Sequence, residues 1–276
     1  DGTRVMLQIL NEYLATDRVQ YDDDSDNSNN GNNIDEKQQE IREQYALAIE
    51  AVDNMITCLH NNPWLQTQEV FQKEAFPFIM RLLSVDSGKD GVVTEYRAQS
   101  RLVEKLVSLL SALCSNQPVS LVRFLELEGI QTLVVPLVKR NVEALDDRTT
   151  DAEFRNKLTT KLLFLLFNLM VCEESLPQKT NLATQILLYF DDLILCLLEQ
   201  YGNLRSDSEI DLIEKVLLVL RDLAMADHVK SLYVQTTKAN ARLSNALDHI
   251  MRSALAHEDQ DRVYDVKDYI EEIKSY

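Results

Sequence analysis

An all-α solenoid of about four repeats is the fold this sequence predicts, on three observations. A fourteen-residue helical pattern occurs four times, as ALAIEAVDNMITCL from Ala46, SRLVEKLVSLLSAL from Ser100, NKLTTKLLFLLFNL from Asn156 and IDLIEKVLLVLRDL from Ile210. Its closing leucines, Leu59, Leu113, Leu169 and Leu223, follow one another after 54, 56 and 54 residues. A second element, VFQKEAFPFIMRLL from Val70, returns 54 residues later as FLELEGIQTLVVPL from Phe124. Only six glycines and five prolines punctuate the 276 residues, and β-branched alternation of strand length is missing. One such unit cannot bury its apolar face alone, and stacking the units makes a continuous core, so the same face recurs in each copy.

The elements follow in order. Residues 1–20 form an N-terminal helix, with helical periodicity through Val5, Leu7, Ile9, Leu10, Tyr13 and Leu14. Residues 21–36 are a disordered acidic and Asn-rich linker. From Tyr21 to Asn33 the chain is nearly all Asp, Asn, Ser and Gly, too little apolar surface to offset ordering entropy. A calcium-binding or chaperone-contact segment is the functional alternative there. Residues 37–276 are the solenoid, each unit two or three helices, with Pro77 and Gly129 near the turn between a shorter and a longer helix. Helical segments from His228 to Leu255 and from Asp261 to Ile273 cap its C-terminal end.

Composition removes several classes of function. A net charge of -17 opposes phosphate backbones, since nucleic-acid affinity comes largely from Lys and Arg, so DNA and RNA are not expected partners. No apolar run approaches the roughly 20 residues needed to span a bilayer, and even Leu158 to Val171 is broken by Thr159, Thr160, Lys161 and Asn168. Membrane insertion is therefore not expected. Cys58, Cys114, Cys172 and Cys196 sit among apolar residues and read as buried free thiols. No Asn-x-Ser/Thr acceptor occurs.

Within each copy, positions 3, 7, 10, 11 and 14 are apolar, the stripe of a core-facing helix; in the third copy these are Leu158, Leu162, Leu165, Leu166 and Leu169. Position 6 holds Lys105, Lys161 and Lys215, and position 13 holds Ala112, Asn168 and Asp222. Seven residues are almost two turns, so the two positions share a stripe about 100° from the core axis. With their polar neighbours Ser108, Lys157 and Arg221, these residues form a candidate partner-binding stripe on the concave surface that solenoids use. The plainer reading is that flanking lysines keep the helix soluble and cover apolar neighbours with their stems. Asn168 is the best single candidate for bonding an extended peptide, with a local cap as its alternative.

Chemistry is scarce. His60, His228, His249 and His257 make no metal-ligand spacing with another His or Cys, and His257-Glu258-Asp259 reads as a solvated loop. Gly-rich phosphate loops, G-x-S-x-G and H-E-x-x-H are missing, so no enzyme, no metal and no cofactor is expected. Trp64, the only tryptophan, is either a partner anchor or a satellite core contact. Phe76, Phe78, Phe124, Phe164 and Phe167 have helical spacing and read as core.

From Asn62 to Leu137 the chain runs through an Asn-Pro turn, a Gln, an apolar helix ending in RLLS, a linker, EKLVSLLSALCS and RFLELEGIQTL. This order resembles the armadillo-type nucleotide exchange factors of the seventy-kilodalton heat-shock chaperones. They share an NP-x-x-Q element, a Lys-headed helix ending near ALCS and a Phe-Leu-x-Leu-x-Gly turn. The third copy, KLTTKLLFLLFNLMV, is similar to their following helix, so the resemblance extends to about Glu199. Ala112, Leu113, Cys114 and Ser115, with the acidic ending from His257 to Ile273, are nearest the endoplasmic-reticulum branch. The spacing exceeds the roughly forty residues of armadillo units, through insertions from Ser87 to Arg97 and from Ala144 to Glu153.

The resemblance implies an armadillo/HEAT-like α-solenoid that binds the ATPase domain of a heat-shock chaperone and promotes ADP release, in the endoplasmic-reticulum lumen or, alternatively, the cytoplasm. An armadillo scaffold regulating the actin cytoskeleton, as an actin-nucleation activator or formin-type regulatory domain, is the rival reading, and an enzyme with a concealed site the remoter one. The charged outer face from Asp261 to Tyr276 predicts a capped monomer.

Overall fold

The computed structural model describes residues 2, 4–10, 31–60, 62–85, 96–143, 152–176 and 180–276, and every regular element among them is helical. The all-α expectation is met. The insertions near residues 86–95 and 144–151, and residues 21–30 of the expected linker, lie outside the described residues. Residues 31–36 of that linker are instead the start of a helix, Gly31–Leu59. Once a downstream turn has nucleated, each further residue adds a hydrogen bond at the lower cost of elongation, so mediocre helix formers are carried along.

The described residues form two compact units, Asp1–Leu113 and Cys114–Tyr276. The first contains helical residues 4–10 (α1), Gly31–Leu59 (α2), Pro63–Gln66 (α3), Phe76–Val85 (α4) and Tyr96–Cys114 (α5) up to Leu113. Asn62 caps α3 by accepting the Leu65 N–H at 3.2 Å, and Pro63 stands at its first position, where a missing N–H costs nothing. Gln66 turns inward and its Nε2 donates to the carbonyls of Leu59 (3.2 Å) and Ala112 (2.9 Å), so one buried amide ties the C-terminal ends of α2 and α5 together. Tyr45 of α2 accepts the Leu102 N–H at 3.1 Å, and burial pushes its phenol up to about 12.

A π-helical turn, Val70–Ala75, runs straight into α4, closed by the Phe76 N–H on the Phe71 carbonyl five residues back. Pro77 is the cause: its ring would strike the carbonyl four residues earlier, and a wider turn relieves the clash. The second unit repeats the device at Ile130–Val134, followed by Pro136. Just before it, Gly129 lets the Phe124 ring approach so closely that a Cβ would lie 2.4 Å from it.

That second unit comprises Pro118–Glu126 (α6), Val135–Glu143 (α7), Ala152–Glu174 (α8), Leu182–Tyr189 (α9), Asp191–Tyr201 (α10), Asp207–Met225 (α11), Lys230–Tyr233 (α12), Ala241–Leu255 (α13) and Tyr264–Ser275 (α14). The longer helices stand in a row, α8 on α11 and α11 on α14, and α7, α10 and α13 form a second row. All five apolar positions of the repeated pattern are buried in α5, α8 and α11, and all but Ile56 in α2. The last helix buries Val266, Ile270 and Ile273 in the same rhythm. Helix starts are satisfied in kind. Ser206 accepts the Glu209 N–H at the start of α11, Asn240 accepts the Arg242 N–H at the start of α13, and the buried Glu173 carboxylate of α8 accepts the N–H groups of Leu182 and Ala183 at the start of α9.

Candidate functional site

The stripe expected from the sequence is built mostly of side chains that already face a partner. In the first unit Lys105 Nζ donates to Asp53 Oδ1 at 2.6 Å, joining α5 to α2, and Ser108 Oγ bonds the Glu104 carbonyl at 3.0 Å. In the second unit Lys157 pairs with Glu153 at 2.7 Å along α8, Lys215 with Glu214 at 2.6 Å, and Arg221 with Asp222. Lys161 and Asn168 are half-buried on α8. With five of these eight residues held in ion pairs, the row is not a bare cationic rail.

Of those eight, Arg221 and Asp222 converge with residues of neighbouring helices on a cleft of about 360 Å³. Phe167, Val171 and Glu174 of α8, Arg221, Asp222 and Met225 of α11, and Glu272 of α14 line it. Arg221 Nε and Nη2 donate to Asp222 Oδ1 at 3.1 and 3.0 Å, Nη1 lies 3.6 Å from Glu272, and the guanidinium carbon sits 4.8 Å over the Tyr269 ring. Burial works against the Arg221 charge, but its bonds to Asp222 and the field of Asp222 and Glu272 hold its pKa above the ordinary value. Asp222 is only 8% exposed, and burial raises its carboxyl pKa; Glu174 and Glu272 push the same way, against the pull of Arg221.

The apolar rim departs from expectation. The spacing of Phe164 and Phe167 predicts core positions, yet Phe164 is 43% exposed, Phe167 is half-buried, and the two rings stack on each other at 6.3 Å. Val171 at 37% and Met225 at 48% extend this surface. Leu158, Leu162, Leu165, Leu166 and Leu169 already fill the core stripe of α8, so Phe164, Phe167 and Val171, three and four residues apart, make a second apolar face on the same helix. Phe76 and Phe124 are core as expected, and Phe78 is intermediate.

Sequence reasoning missed Glu272, Tyr269, Glu174 and Met225. The signal for Glu272 was present: Asn168, Asp222 and Glu272 each immediately precede the buried closing residue of their helix, Leu169, Leu223 and Ile273. VKDYIEEI matches the end of the upstream pattern, with Val266, Ile270 and Ile273 at its seventh, eleventh and closing positions and Glu272 at its thirteenth.

Trp64 is 69% exposed at the start of α3, because the four-residue helix turns Gln66 inward, so it is not a satellite core contact. His257 Nδ1 accepts the Asp259 N–H at 3.1 Å and shapes a turn, and His249 Nε2 lies 3.1 Å from Asn203 Oδ1. Among the described residues no three His, Cys, Asp or Glu side chains group to hold a metal, and no helix is long and apolar enough to cross a membrane. Cys114 and Cys172 are buried and burial pushes both thiols up, whereas Cys58 is exposed and Cys196 intermediate, against the expectation that all four are buried. Cys58 occupies the thirteenth pattern position, on the flank beside the buried stripe of Met55 and Leu59. Compared with known families and curated proteins, the chain matches no family model and no curated protein.

Proposed function

We propose that the chain is an armadillo-like α-solenoid that acts without catalysis, as a nucleotide exchange factor for a seventy-kilodalton heat-shock chaperone, nearest the lumenal branch. The observation that carries the binding role is the face of α8, α11 and α14. Three helices packed in a row bury the same stripe and place beside it the buried Asp222 and the half-buried Asn168 and Glu272, flanked by exposed Phe164, Val171 and Met225. Large apolar side chains exposed together and rimmed by polar groups mark protein interaction surfaces. Lys157, Lys161, Lys215 and Arg221 belong to that face in the second unit, and Lys105 and Ser108 occupy the corresponding pattern positions in the first.

The choice of partner rests on the resemblance from Asn62 to Leu137. Part of that run has a structural explanation, since Asn62, Pro63 and Gln66 cap α3 and tie α2 to α5, and it supports the fold more than the contact surface. The mechanism needs no reactive group. A partner that binds the open, nucleotide-free ATPase domain more tightly than the closed one weakens nucleotide affinity by the same factor, typically about 5–150-fold. The test is stopped-flow release of a fluorescent ADP analogue from cytosolic and lumenal chaperones. Acceleration at sub-micromolar protein, greater for the lumenal chaperone, is expected; no acceleration with either chaperone refutes the exchange activity.

A further inference from the structure

We draw no further inference here: the strongest candidate, the exposed Trp64 on the short helix α3 of the first unit, is an apolar surface of one side chain, and nothing in the structure shows what covers it.

Discussion

Replacing Gln66 by Met keeps the length and most of the volume of the side chain while deleting its amide donors. Nε2 gives hydrogen bonds of 3.2 Å to the Leu59 carbonyl and 2.9 Å to the Ala112 carbonyl. Each such bond is worth about 0.5–1.5 kcal/mol net, so about 1–3 kcal/mol should be lost. The larger penalty of an orphaned buried acceptor does not apply in full. Leu59 keeps the Asn62 N–H at 3.0 Å, and the Ala112 site is half-buried, where water can substitute. At a urea m-value of about 2 kcal/mol/M, the midpoint of the first transition should fall by roughly 1 M. ADP release measured well below that midpoint should be unchanged. A stability loss under about 0.5 kcal/mol would show that the amide does not join α2 to α5, and a large exchange defect in a folded Gln66→Met protein would move this residue from scaffold to contact surface.

Gly129→Ala should destabilise by about 1–3 kcal/mol, because the new Cβ lies 2.4 Å from a fully buried Phe124 ring; an unchanged urea midpoint would refute that packing. Asp222 has a folded pKa above its ordinary 3.8, so its contribution favours folding below that value and is lost as pH rises through the raised one. The groups facing it are Arg221 of α11, Glu174 of α8 and Glu272 of α14. Stability of the parent relative to Asp222→Asn should therefore fall as pH is raised from 3.8, and a difference that is flat or rises with pH contradicts the assignment. In the native protein a thiol-specific dye should label Cys58 well before Cys114 and Cys172, and equal rates would mean that the buried thiols are not sheltered.

The helices were legible because their core positions obey one rhythm: Leu162, Val216 and Leu106 could be assigned to the interior from spacing alone, and all three are buried. The second apolar face of α8 was not, since Phe164 and Phe167 are as hydrophobic as core residues, and only the packing of α11 and α14 decides which side of a helix stays open. Charge partners were equally invisible. Nothing in the spacing announces that Lys105 meets Asp53 or that Arg221 lies over Tyr269, because these contacts join residues about 50 positions apart. The wide turn before Pro77 follows from proline chemistry, but the choice between a kink and a π-helical turn is made by the surrounding core.

An extra residue in a helix is a phase slip of about 100°, and everything after it faces where it does because of that slip. In Val70–Ala75 and Ile130–Val134 a proline makes the slip permanent. A third wide turn, Val234–Lys238, has no proline; within it the buried Thr237 hydroxyl donates to Asp191 Oδ1 at 2.6 Å. Because Asn240 leaves the helical region and caps α13 afresh, this third slip is not carried onward: α13 takes its facing from packing on α10, and α14 from packing on α11.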